Sequence, residues 1–222
     1  MKRTQKGFTL VEIAIVLVII GLLLGGILKG QEMIIQAKIK NAIADFSGVS
    51  AAYFGYQDRY RATPGDDVTA TRWAGAIVGS GDRILTGAYN VACPPTAVAG
   101  TAESCLWWDH LRRSGFVSGS GPLQPNNAFN GIIGVQTGDG ATPPVAALVN
   151  ATGGFTNLIL CSSNLPDKVA IALDVQMDDG DVRAGAVRGL LSATLNPAIP
   201  LVVDANNYAE TGTNLYTLCR QF

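Results

Sequence analysis

Histidine is nearly missing from this sequence: His110 is the single one among 222 residues. Metal centres built on several histidines are thereby excluded, as is an H-E-x-x-H helix. Charge is scarce too. Charged residues make up 15 %, and 16 Lys and Arg stand against 17 Asp and Glu, for a net charge of −1. Nucleic-acid binders concentrate basic residues on one face, so no nucleic-acid partner is expected. The four cysteines, Cys93, Cys105, Cys161 and Cys219, form no C-x-x-C pair, which leaves a zinc site poorly supported. No G-x-S-x-G elbow occurs, and Gly79-Ser80-Gly81-Asp82 lacks the lysine of a phosphate-binding loop. No catalytic constellation remains, and the chain reads as a non-enzyme without a required cofactor.

What is present divides unevenly. Phe8 to Leu28 is a run of 21 residues whose only charge is Glu12. At about 1.5 Å per residue such a run spans roughly 30 Å, the hydrocarbon thickness of a bilayer. Lys2, Arg3 and Lys6 precede it and are expected to stay cytoplasmic. The run is too long for an ordinary secretory signal, and no small-residue cleavage pattern follows it. A processing point between Gly7 and Phe8 would leave the apolar helix on the mature protein. Glu12 is then costly, at about 2.5–3.5 kcal/mol on insertion scales. Cleavage after Gly7 would place a new α-amino group near its depth. Helix geometry disfavours pairing within one chain, whereas a staggered neighbour can present its amine to Glu12. Snorkelling of Glu12 to the headgroups is the plainer alternative.

Beyond the run, Ile35, Ile39, Ala42, Ile43, Phe46, Val49, Tyr53, Tyr56 and Tyr60 recur at three- and four-residue steps, the apolar stripe of a helix. Thr63-Pro64-Gly65 should end it near Ala62. A helix over residues 8–62 would reach about 80 Å. The body at 63–222 holds all 10 prolines and most of the 26 glycines, which favours short strands and long loops. Asp66 or Asp67 is expected to cap a short helix running through Ala74. Glu103–Gly115 reads as a helix capped by Ser104, with His110 a surface or packed residue. Residues 130–137, 156–162, 168–177, 199–205 and the stretch from Leu215 read as strands of a small antiparallel sheet. The 168–177 stretch fits a short helix equally well.

An even cysteine count beside a membrane-targeting start favours disulfides in an oxidising compartment, against free thiols in a cytosolic protein. Four cysteines allow three connectivities. Proximity favours Cys93–Cys105, and elimination then leaves Cys161–Cys219. In 177–185, Asp178, Asp179 and Asp181 surround Gly180. They read either as an ordinary turn or as hard oxygen ligands for calcium. The spacing is not that of an EF-hand.

Lys6-Gly7-Phe8-Thr9-Leu10-Val11-Glu12 resembles the processing site of type IV prepilins and of the related type II secretion pseudopilins. The resemblance implies that a prepilin peptidase removes residues 1–7 as a basic leader and methylates the Phe8 amine. It further implies that subunits assemble through residues 8–28, with Glu12 registered against a neighbour's Phe8. Tyr60-x-x-x-Pro64-Gly65-Asp66 and Asp178-Asp179-Gly180 are similar to segments of one broad group of pilin-like proteins, among whose relatives calcium loops occur. The implied fold is α+β: a long N-terminal helical spine packed against a small antiparallel sheet with long loops. Where many members carry proline, this chain has Lys29. Gly21, Gly25, Gly26 and Gly30 instead loosen the helix or let another helix approach closely.

The expected function is a structural subunit that polymerises into a type IV pilus-like filament. Its partners would be identical or related pilins, the peptidase, an inner-membrane assembly platform and, before assembly, the membrane. The expected location is the bacterial inner membrane, single-pass with a cytoplasmic N-terminus, and then a periplasmic or extracellular filament. A minor pilin or a secretion pseudopilin is the alternative, although Glu12 counts against the tip subunit that typically lacks this carboxylate. A membrane-anchored periplasmic enzyme or receptor is a third reading, with no cleft in the sequence to support it.

Overall fold

The computed structural model describes residues 7, 9–141 and 143–222. It divides into two compact units, Met1–Lys38 and Ile39–Phe222. Helix α1, Leu10–Tyr60, runs through both. Among the described residues of the first unit, α1 is the only element. In the second unit, α1 supplies Ile39, Ala42, Phe46, Val49, Ala52 and Tyr56 as buried residues. Arg61 ends α1 in a left-handed conformation, φ 54°, and its N–H closes the last turn on the Gln57 carbonyl at 2.8 Å.

Four antiparallel strands form the main sheet, in the order β1 (Ile133–Thr137), β4 (Leu158–Pro166), β6 (Leu215–Gln221), β5 (Val187–Leu191). A hairpin, β2 (Ala147–Asn150) with β3 (Gly153–Phe155), pairs separately. Side chains alternate across a strand, and β4 shows the result. Leu158 and Leu160 pack with Phe46, Val49 and Tyr56 of α1, while Ile159 and Cys161 pack with Tyr89, Leu148 and Ile199 on the opposite face. A strand covered on both faces has no polar side, which explains the unbroken Leu158-Ile159-Leu160-Cys161 run.

Helices α2 (Glu103–Arg113) and α3 (Asp167–Met177) lie on the same face of the sheet as α1. Trp107, Trp108 and Leu111 of α2 join the Phe46–Tyr56 cluster, and Val169, Ala170 and Leu173 of α3 join Ile39 and Ala42. A long apolar helix packed on a small antiparallel sheet is the α+β architecture that the resemblance implied.

Several local expectations change, and for His110 and the 168–177 stretch one of two open alternatives is the observed one. The helix expected through Ala74 is a single 3-10 turn, Ala70–Arg72, with Thr69 in its cap position; Asp67 accepts the Thr69 N–H just ahead of it, whereas Asp66 bonds to the 80–83 turn. Ser104 is not the cap of α2: Ala102 occupies that position, and the Ser104 hydroxyl donates to the Ala88 carbonyl at 3.3 Å. His110 is fully buried. The 168–177 stretch is helical; Val169, Ala170 and Leu173 face the core at helical spacing, whereas Val175 is exposed. The 199–205 stretch is no strand of the main sheet. It runs beside β2, where Leu148 and Val149 donate to the carbonyls of Pro200 and Leu201.

Candidate functional site

α1 begins with a reciprocal pair of hydrogen bonds. Glu12 Oε2 accepts the Thr9 backbone N–H at 2.8 Å and the Thr9 hydroxyl at 2.7 Å. The Glu12 N–H points back at Thr9 Oγ1, 3.3 Å away. With Leu10 as the first helical residue, this is a capping box, in which a Thr cap and a Glu three residues on satisfy each other's backbone donors. A carboxylate in the first turn also meets the positive end of the helix dipole. Glu12 therefore has a local role besides its charge. The Thr-x-x-Glu pattern ahead of an apolar run signals it in the sequence, and reading Glu12 for its charge alone overlooks it.

The helix that follows has no cover of its own. Every residue of 10–28 is exposed, and α1 contains an apolar window long enough to cross a membrane. A Cβ placed on Gly21, Gly25, Gly26 or Gly30 would meet no atom within 4 Å. Lys29 pairs with Glu32 at 2.7 Å on the surface, a contact worth about 0–1 kcal/mol, and the helix continues through it unbroken. Gly7 is described and exposed. Phe8, the expected cleavage and methylation position, lies outside the described residues, as do Lys2, Arg3 and Lys6.

In the body, two disulfides are formed. Cys93 joins Cys105, 12 residues apart, and Cys161 joins Cys219, 58 apart, directly across the β4–β6 pairing. The Pro64-Gly65-Asp66-Asp67 segment binds α1 to α2. Asp67 accepts the Tyr56 hydroxyl at 2.6 Å, the Thr69 N–H at 2.7 Å and Arg72 at 2.7 Å. Burial pushes its carboxyl up, but these donors outweigh burial and hold it at about 2. Asp66 instead ties down the 80–83 turn through Ser80, Gly81 and Arg83.

The Gly65 N–H donates to His110 Nδ1 at 2.9 Å, and His110 Nε2 lies 2.8 Å from the Ile77 carbonyl. An N–H can only donate, so Nδ1 is the acceptor and Nε2 carries the proton. Burial lowers the imidazole pKa. Both ring nitrogens are committed to backbone, so His110 is a structural cross-link and offers no free base for catalysis.

The acidic loop is not assembled as a contiguous ligand set. Asp178 and Asp179 come together with Asp174 of α3, each offering one oxygen within 4.8 Å of the others. Asp181 turns to Arg183, with bonds of 2.8 and 2.7 Å. Nothing in the sequence marks Asp174, which reads as one more residue of a helix or strand.

No curated protein and no solved structure matches the chain. A family model does match over residues 2–28, described as the prokaryotic N-terminal methylation motif. With Gly7, Phe8 and Glu12 inside that span, the chain carries the N-terminal signature of type IV pilins and pseudopilins.

Proposed function

We propose that this chain is a filament-forming pilin. It waits in the bacterial inner membrane with its N-terminus in the cytoplasm and then polymerises through its first helix. Residues 1–7 act as the leader, 8–62 as the spine and 63–222 as the head. A prepilin peptidase cuts between Gly7 and Phe8 and methylates the new amine. The carrying observation is the α1 segment at 10–28: wholly apolar except for Glu12, exposed throughout, and lying under the methylation motif. Such a surface needs lipid or other helices around it. Glu12 serves its own helix as a cap, and its charge remains available to a neighbour's amine in the assembled filament.

Two experiments test this. Mass spectrometry of sheared surface filaments should recover this chain in quantity, beginning at N-methylated Phe8. A scarce chain with that same terminus favours the minor-pilin or pseudopilin reading, and an unprocessed chain overturns the proposal. Glu12→Gln separates cap from charge, because glutamine also completes a capping box. The variant should insert normally in the membrane and fail to enter filaments; normal incorporation would remove Glu12 from assembly.

A further inference from the structure

The two disulfides differ in what surrounds them. Cys161 and Cys219 are fully buried, on the paired strands β4 and β6, and pack among Tyr89, Leu148 and Ile199. Cys105 is 1 % exposed and lies in the first turn of α2. Cys93 alone among the four keeps some surface, in an irregular segment between exposed Ala92 and exposed Pro95-Thr96. Pro94 follows it and favours extended backbone at Cys93. Residues 92–102 carry no charge, so the segment itself does not repel an incoming thiolate. The nearest acid in sequence, Glu103, is engaged elsewhere: its carboxylate accepts the N–H groups of Ser80 at 2.7 Å and Thr86 at 3.0 Å. A hollow of about 290 Å³ adjoins the bond, lined by Val91, Ala92, Pro94, Val98, Ala102 and Cys105 among others.

Both ends of the 92–101 loop are held without this bond. Gln124 donates to the carbonyls of Tyr89 and Val91 at 3.3 and 2.6 Å, and Asn90 donates to that of Asn196 at 3.0 Å. At the other end the Ser104 N–H donates to the Thr86 carbonyl at 3.1 Å, and Trp107, Trp108 and Leu111 fix α2 in the core. Among the described residues, the hydrogen bonds within 92–101 belong to one turn, between Val98 and Thr101. Opening the bond therefore frees the loop and leaves its anchors in place.

We infer that Cys93–Cys105 is an exchange site for a C-x-x-C thiol oxidoreductase, attacked at Cys93 and leaving from Cys105. Such exchange runs through a mixed disulfide, and access helps decide which sulfur is attacked. The partner's thiolate forms a bond to Cys93 Sγ as the Cys93–Cys105 bond breaks. The electron pair leaves on Cys105 Sγ, which takes a proton from water. The partner's second thiol then displaces Cys93, so the chain is reduced to two thiols and the partner is oxidised to its disulfide. Run backwards, the same path closes the loop. Cys161–Cys219 offers no comparable approach, so the body keeps that cross-link while the loop opens. The inference holds whether or not the chain forms filaments.

The test uses the oxidised full chain in detergent micelles with reduced thioredoxin whose second cysteine is replaced by serine, which arrests exchange at the mixed disulfide. Alkylation and peptide mass mapping then show which sulfur is linked. Thioredoxin should be joined to Cys93, with Cys105 alkylated as a free thiol, by about tenfold or more over the reverse. With unmodified reduced thioredoxin, Cys93–Cys105 should open about tenfold or more faster than Cys161–Cys219. The near-ultraviolet dichroism of Trp107 and Trp108 should persist throughout. Linkage at Cys105, equal linkage at both sulfurs, or no mixed disulfide overturns the proposal. Equal reduction of the two bonds also overturns it, as does loss of the tryptophan signal with the opening of Cys93–Cys105, because unfolding would then be what exposes the bond.

Discussion

At Asp67, donors from Tyr56, Thr69 and Arg72 converge on one buried carboxylate. Its pKa of about 2 lies below the ordinary 3.8, so the folded state binds the proton less well than the unfolded chain. The resulting stability is fully present above about pH 4 and is lost as pH falls toward 2. Its size is on the order of 2 kcal/mol. Acid unfolding of the full chain in micelles, followed by near-ultraviolet dichroism of the buried Trp107 and Trp108, should show a limb in that window. In Asp67→Asn the limb should flatten, with lower stability at neutral pH. Gly65 is a second pressure point. Its φ is +83°, and a Cβ there would lie 2.8 Å from Leu85 and 2.9 Å from the Trp107 nitrogen. Gly65→Ala should cost about 2–4 kcal/mol, combining a left-handed backbone with overpacking. A change below 1 kcal/mol in the same unfolding measurement would show that the segment relaxes freely.

Among the elements, α1 invites the sharpest test. Removing the Thr9 hydroxyl in Thr9→Ala should cost about 1 kcal/mol of helix start. That corresponds to roughly fivefold faster amide exchange at Glu12 and Ile13 in micelles, whose N–H groups point at Thr9, with the helix beyond Leu17 unaffected. Glu12→Gln should preserve most of that protection, so the two variants divide cap from charge. The legibility of the other elements followed from how many constraints acted on each. α1 was readable because length, apolarity and a Pro-Gly stop all agreed. β4 and β6 were readable as compact apolar runs. The 168–177 stretch was ambiguous because Val169-Ile171-Leu173-Val175 alternates while Val169-Ala170-Leu173 follows a helical step; tertiary burial alone decided between them. β5 and the β2–β3 hairpin escaped notice because Val187-Arg188-Gly189 and Gly153-Gly154 lack strand character, and only pairing makes them strands. At the candidate sites, Gly7, Phe8 and Glu12 are contiguous and therefore legible. The grouping of Asp174 with Asp178 and Asp179 needs a helix to bring a residue four positions back onto the loop, and the helical state of that stretch was itself undecided.

Across the whole molecule, the two disulfides are unequal in reach. Closing 58 residues restricts the unfolded chain by about 4 kcal/mol, and closing 12 residues by about 3 kcal/mol. Replacing Cys161 and Cys219 together by Ala and Val should lower global stability by several kcal/mol and shift the cooperative transition of the body. Replacing Cys93 and Cys105 should chiefly loosen the 93–105 loop, read as protease nicking there before global unfolding. If both pairs gave the same global shift and neither gave local nicking, the loop would be part of the cooperative core.

The strand order has a consequence for biosynthesis. β6 is the latest strand in the chain, yet it lies between β4 and β5 and pairs with both. Until it emerges, β5 has no neighbour in the sheet and Cys161 has no partner. Under the proposed membrane placement, the first helix is complete and able to insert before the body can close. On that placement, insertion would precede closure of the body, which must wait for its last strand.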